Sequence, residues 1–143
     1  MQHPIATRPI AQYPNGEKIT LFKSNDPKYK DGEQKRDFIY VKDAVKMTAL
    51  FLDELKKENG IFNIGTGNAV TWNRLAKALF KALRKDPDIE YIEMPKELSR
   101  QYQNYTCAEM QKFKKIYPSL KTLSIEESVE DYVQNYLLKD KTW

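Results

Sequence analysis

Arg36-Asp37-Phe38-Ile39-Tyr40-Val41-Lys42-Asp43, followed by Phe62-Asn63-Ile64-Gly65-Thr66-Gly67, decides how this chain is read. In the first stretch Phe38 and Tyr40 alternate against Asp37, Ile39 and Val41. That period of two predicts a short strand, opened by a guanidinium and closed by a helix-starting aspartate. The second stretch predicts another short strand that ends in a glycine-hinged turn before a helix. An arginine where a strand leaves a loop is placed to fork two N–H bonds onto a phosphate or carboxylate. A structural ion pair with a nearby acid accounts for it equally well, and the residues alone leave both readings open.

Outward from these stretches the pattern is mixed α/β. Lys18–Lys23 reads as a strand, and Ser24–Lys35 as a polar loop carrying Pro27 and Gly32. Asp43 is expected to cap a helix running to about Lys57, with Val45, Ala49, Leu52 and Leu55 on its buried side, ended by Asn59-Gly60. Thr71 caps a second helix whose apolar stripe is Trp72, Leu75, Ala76, Leu79, Phe80 and Leu83. Ile89–Met94 is a strand stopped by Pro95. Thr106 with Glu109, and Ser124 with Glu127, have the spacing of capping boxes. The last helix is expected to bury Ile125, Val129, Tyr132, Val133 and Tyr136. Residues 1–17 carry three prolines and no periodicity, and read as an irregular segment.

Length and composition narrow the classes. At 143 residues, 41% hydrophobic and 31% charged, the chain is one domain's worth of ordinary globular sequence. No apolar run reaches the roughly 18 residues of a membrane span, and the start lacks the regions of a signal peptide. The net charge of +4 comes from lysines interspersed with acids. This argues for a solvated surface rather than a nucleic-acid interface, which would cluster arginine and aromatics. Cys107 is the single cysteine, so there is no internal disulfide, in keeping with a reducing compartment. His3 is the single histidine, which leaves no histidine cluster for a metal and no histidine-centred triad. Gly65-Thr66-Gly67 lacks the third glycine of a dinucleotide fingerprint, Val70 standing in its place, and reads as a structural turn.

The pairing of R-D-F-x-Y-V-x-D with F-N-I-G-T-G resembles the second half of the extended short-chain dehydrogenases that act on nucleotide sugars, the NAD-dependent epimerase/dehydratase family. Ile89-Glu90-Tyr91-Ile92-Glu93-Met94-Pro95, with Leu98-Ser99-Arg100-Gln101-Tyr102-Gln103-Asn104-Tyr105-Thr106, is similar to the ADP-heptose 6-epimerase branch, from roughly Lys18 to Leu138. The resemblance implies a mixed α/β, substrate-side portion of that fold over 18–143, lacking the N-terminal dinucleotide-binding half. It implies an NADP-dependent isomerase that interconverts ADP-D-glycero- and ADP-L-glycero-manno-heptose for lipopolysaccharide core synthesis, cytoplasmic and homo-oligomeric, with no nucleic-acid or membrane partner.

Residue by residue, the resemblance implies that Phe22, Lys23, Ser24 and Asn25 wrap the nucleotide end of the substrate. Arg36 would clamp its diphosphate and Tyr102 would reach the bound nucleotide sugar. A core phenylalanine before a polar turn, and a half-buried tyrosine, are the plainer readings. The loop Asp26–Lys35 is longer than the family's compact pattern. The family's catalytic tyrosine precedes a lysine by four residues on one helix. Tyr117 and Lys121 have that spacing, but Pro118 follows directly and would break the helix. No catalytic, cofactor-binding or metal-binding residue is therefore assigned, and the chain alone is expected to be inert. The alternatives are a non-catalytic nucleotide-sugar-binding module, or a portion of another NAD(P)-dependent sugar-nucleotide epimerase or dehydratase.

Overall fold

Ile19 and Leu21 alternate with Thr20. In the computed structural model, which describes residues 18–52 and 59–139, they bury the inner face of β1 (Ile19–Phe22). β1 pairs in parallel with β4 (Ile89–Ile92), Ile19 opposite Ile89 and Phe22 opposite Ile92. Parallel neighbours need a long crossover, and here it ends in β3 (Val70–Thr71) and α2 (Trp72–Ala82). Thr71 caps α2 as expected, its hydroxyl accepting from the Arg74 amide at 3.1 Å. The apolar stripe packs as the 3.6-residue period requires. Ala76, Leu79 and Phe80 are buried with Ile19, Leu21 and Val133, while Trp72 and Leu83 close the margin of this core.

α5 (Ile125–Tyr132) lies along α2 and runs on as a π-helical stretch, Val133–Leu137. Its expected capping box is present, with Ser124 and Glu127 satisfying each other's backbone. Val133 is fully buried, while Ile125, Val129, Tyr132 and Tyr136 are half-buried. Two cross-links hold the pair of helices. Arg74 forks onto Glu126 at 2.7 and 2.9 Å, and Gln134 Nε2 donates to the Ala82 carbonyl at 2.6 Å, at the end of α2. A second core is built from Met47, Met110, Phe113 and Tyr117, with Phe51 edge-on to both rings. It joins α1 (Val41–Ala49) and its 3-10 extension Leu50–Leu52 to α4 (Gln111–Ile116); the short α3 (Lys96–Ser99) lies apart, after β4.

Several local expectations are corrected. The Arg36 strand is only β2 (Lys35–Arg36), antiparallel to β3 with Arg36 opposite Val70. Asp37–Tyr40 leaves the ladder because the Asp37 side chain, not the backbone, makes the next cross-connections. α1 begins at Val41 with no side-chain cap. Asp43 is buried inside its first turn, where Oδ2 accepts from the Leu123 amide at 2.8 Å. With Asp43 and Met47 facing inward, Val45 (63% exposed), Ala49 and Leu52 (82% exposed) face solvent instead of the core. Phe62–Ile64 joins no strand ladder among the described residues, and Phe62 rests on Phe51 at 4.8 Å. No Thr106–Glu109 box forms. The Thr106 amide donates to the Lys35 carbonyl, the Glu109 carboxylate takes the Gln111 amide at 2.6 Å, and α4 starts at Gln111. The irregular segment 1–17 and the expected contacts of Leu55 and Lys57 lie outside the described residues.

Candidate nucleotide-sugar site

The expected site residues sit on the end of β1, on β2 and on the segment after α3, and hydrogen bonds draw these three together. β2 is flanked on one side by β3 and on the other by residues 104–106. Lys35 N donates to Asn104 O at 2.9 Å, and Thr106 N donates to Lys35 O at 3.1 Å. This arrangement lays the Tyr102 ring under Arg36, whose guanidinium carbon is 4.9 Å from the ring centroid. One guanidinium nitrogen donates to Lys35 O at 2.8 Å. Among the described residues Arg36 forms no ion pair, and its neighbour Asp37 is engaged elsewhere. The brace reading of the arginine therefore finds no acid among the described residues.

Tyr102 is held in turn by α2. Trp72 Nε1 donates to its hydroxyl at 3.1 Å, and Phe38 packs edge-on to the Trp72 rings at 4.9 Å. Asn25 joins the same neighbourhood from the other side. Its Nδ2 donates to Ser99 O at 2.8 Å and to Ser99 Oγ at 3.1 Å, and its Oδ1 accepts from Asn104 Nδ2 at 2.9 Å. Ser24 is a turn residue: its amide donates to Asp31 Oδ1 and its hydroxyl to Asp26 O. Lys23 reaches Glu93 at 2.6 Å, and this bond raises its pKa above the ordinary lysine value. Phe22 is only 8% exposed, which leaves little ring surface for a base.

The expected residues left out the group that links them. Gln34 is buried, its Nε2 donates to Lys23 O at 3.3 Å, and its backbone carbonyl accepts from the Trp72 amide at 3.3 Å. It thereby ties β1 to α2 beside Arg36. Its own side-chain Oε1, like Oδ1 of Asn104, is buried without a donor among the described residues. A glutamine two residues before the arginine, in a stretch otherwise read as loop, was the available signal.

Tyr117 and Lys121 share no helix, in line with the break expected at Pro118. Tyr117 ends α4, with its hydroxyl on Leu50 O at 2.7 Å, and Lys121 lies beyond Pro118 in irregular chain. Nor does the Gly65–Gly67 turn fit a dinucleotide phosphate. The Thr66 and Gly67 amides already donate to Asp37, each at 2.9 Å. Among the described residues no cluster of ligating side chains could hold a metal ion, and no helix is long and apolar enough to cross a membrane.

Known proteins share this sequence and this arrangement. Residues 3–65 match the model of the NAD dependent epimerase/dehydratase family. The ADP-L-glycero-D-manno-heptose-6-epimerase of Nitratidesulfovibrio vulgaris strain DP4 is 44% identical over 119 residues, covering 83% of this chain and 36% of that protein. The enzyme of the same name from Fusobacterium nucleatum is 41% identical over 139 residues, covering 92% of this chain and 41% of that protein. The crystal structure of UDP-glucose 4-epimerase from Thermotoga maritima with UDP-glucose superposes with a TM-score of 0.68 at 27% identity, over 91% of this chain and 38% of that one. The chain thus spans well under half the length of the relatives it matches. The mixed α/β fold with its crossover, the Arg36 and Gly65–Gly67 stretches and these likenesses lead to one conclusion: the chain is similar, in sequence and in fold, to a portion of the NAD-dependent epimerase/dehydratase family.

Proposed function

We propose that this chain is the nucleotide-sugar-binding portion of an ADP-L-glycero-D-manno-heptose 6-epimerase. The observation that carries the reading is Arg36. It is a guanidinium with no carboxylate partner among the described residues, preorganised on the Tyr102 ring at 4.9 Å. A planar fork held in this way offers paired N–H groups to a diphosphate at little conformational cost. Lys23, with N–H groups beyond the one on Glu93, lines the approach from β1, and Ser24 and Asn25 shape it through their bonds to Asp26, Asp31 and Ser99. Phe22 forms its floor, and Tyr102 faces the sugar side. The names of the Nitratidesulfovibrio and Fusobacterium relatives support ADP-heptose as the substrate.

The finer parts of the proposal concern the whole enzyme. The cofactor is NADP, held by a part of the relatives' length that this chain does not span. The assembly is a cytoplasmic homo-oligomer, and its product enters lipopolysaccharide core synthesis. No group among the described residues is assigned to the redox chemistry, so the chain by itself should epimerise nothing with either NADP or NAD. Calorimetric titration with ADP, UDP and dTDP tests the binding role. ADP should bind most tightly in the wild type and lose that advantage when Arg36 is replaced. Equal, weak binding of all three, unaffected by the replacement, would discard the reading.

A further inference from the structure

Motifs that read as separate in the sequence meet at one carboxylate. Asp37 Oδ1 accepts from the Thr66 amide at 2.9 Å and from the Thr66 hydroxyl. Its Oδ2 accepts from the Gly67 amide at 2.9 Å and from the Ala108 amide at 3.1 Å. Thr66 and Gly67 present successive N–H groups, the arrangement with which a turn takes up an anion. Gly67, at φ +70°, is the left-handed residue that such a turn requires. Burial alone would raise the pKa of Asp37. The bonds from Thr66, Gly67 and Ala108 outweigh that and hold it below the ordinary aspartate value.

The Ala108 bond extends the reach of this carboxylate to the candidate site. Lys35 and Tyr105 pair in parallel, with backbone bonds to Asn104 and Thr106 on either side. The Asp37 side chain then supplies the next rung of that ladder, to Ala108. Arg36 lies between the two rungs, and Tyr102 belongs to the segment being held. Gly65 shows how closely the parts are drawn together. A Cβ there would lie 2.5 Å from the Ala108 Cβ and 2.8 Å from Asp37 Oδ2.

We propose that Asp37 is a positioning residue: as the resident anion of the Gly65–Gly67 turn it sets the register of residues 102–108 on β2, and so holds the Tyr102 ring against Arg36. The register stands on geometry alone, whereas its effect on nucleotide affinity rests on the function proposed above.

The Trp72 indole donates to Tyr102, so its N–H resonance reports where that ring sits, and Trp143→Phe removes the other indole signal. In the full chain carrying Asp37→Ala, the amide resonances of Thr66, Gly67 and Ala108 and the Trp72 indole resonance should all move. Added formate, a free carboxylate, should return them toward wild type. ADP affinity should fall roughly tenfold or more, as for a lost charged contact, and recover with formate. Gly65→Ala keeps the carboxylate but pushes Ala108 aside, so it should move the Trp72 resonance even if Asp37→Ala fails to fold. A folded variant of either kind with the Trp72 resonance unmoved would overturn the register role. Formate that leaves the Thr66 and Gly67 amides of Asp37→Ala unshifted would overturn the anion seat. If the wild type binds no ADP while these shifts occur, the nucleotide reading fails and the register role stands.

Discussion

Arg36 carries the sharpest residue-level expectation. In the epimerase proposed above, Arg36→Ala should weaken nucleotide-sugar binding by roughly 1.5–3 kcal/mol, the range for a hydrogen bond to a charged group. Arg36→Lys should lose less, because it keeps the charge but not the fork. Tyr102→Phe removes only the hydroxyl that meets Trp72 and leaves the ring beneath the guanidinium, so it should cost less than Arg36→Ala. Titrating substrate and NADP separately, with a melting curve for each variant, checks the order; NADP affinity should stay unchanged. A lowered melting temperature with unchanged substrate affinity would restore the role of a structural brace. Arg36 was legible in the sequence as a candidate because a cation beside a short strand is a local pattern, although β2 ends at Arg36 rather than starting there. Gln34 and the reach of Asp37 were not, since each acts through groups 11 to 71 positions away that no local pattern places nearby.

At the scale of elements, the caps that proved readable are those in which a side chain bonds its own first turn. Thr71 and Ser124 did so; Asp43 and Thr106 were taken by Leu123 and Lys35, partners distant in sequence. Ser124→Ala should therefore destabilise the fold by about 1 kcal/mol, the usual cost of an N-cap, measurable by urea denaturation with little change in the slope. A second expectation concerns pH. Lys42 donates to Asp131 at 2.6 Å and the Tyr40 hydroxyl does so at 2.5 Å, joining the start of α1 to α5. Hydrogen bonds from Lys42, Tyr40 and Asn135 bring the Asp131 pKa down to about 2. A carboxylate held below its unfolded value stabilises fully above that value and loses the contribution as pH falls through the folded one. Asp131→Asn should accordingly flatten the loss of stability between about pH 4 and about pH 2. An acid limb as steep as that of the wild type would place the titrating group elsewhere.

At the scale of the whole molecule, the described residues form two cores and an uneven surface. Ile19, Leu21 and Val133 close one core, and Met47, Phe113 and Tyr117 the other. Beside them Val41, Val45, Leu52 and Ile61 stand open to solvent, and an apolar groove of about 290 Å³ runs between Ile39–Val41 and Val129–Val133. Exposed apolar surface of this kind promotes association. The chain should therefore sediment heavier as its concentration rises, and Val45→Lys with Leu52→Lys should shift it toward monomer. A concentration-independent monomer would show that this surface is inert. The fold class was legible because it depends on periodicity and on the glycine turn. The rotation of α1 was not, because burying Asp43 against Leu123 overrode an apolar pattern that read equally well in the opposite sense.

The parallel pairing of β1 with β4 has a consequence in time rather than space. Ile19 meets Ile89 only after the chain between them has been made, so for all that stretch of synthesis β1 has no strand to pair with. Closing so long a loop is slow compared with forming α2, whose contacts are local. The helix should therefore stand first, and β1 should dock last, onto a surface that Leu79 and Phe80 have already made. As the ribosome releases this segment, β1 waits unpaired until β4 has emerged.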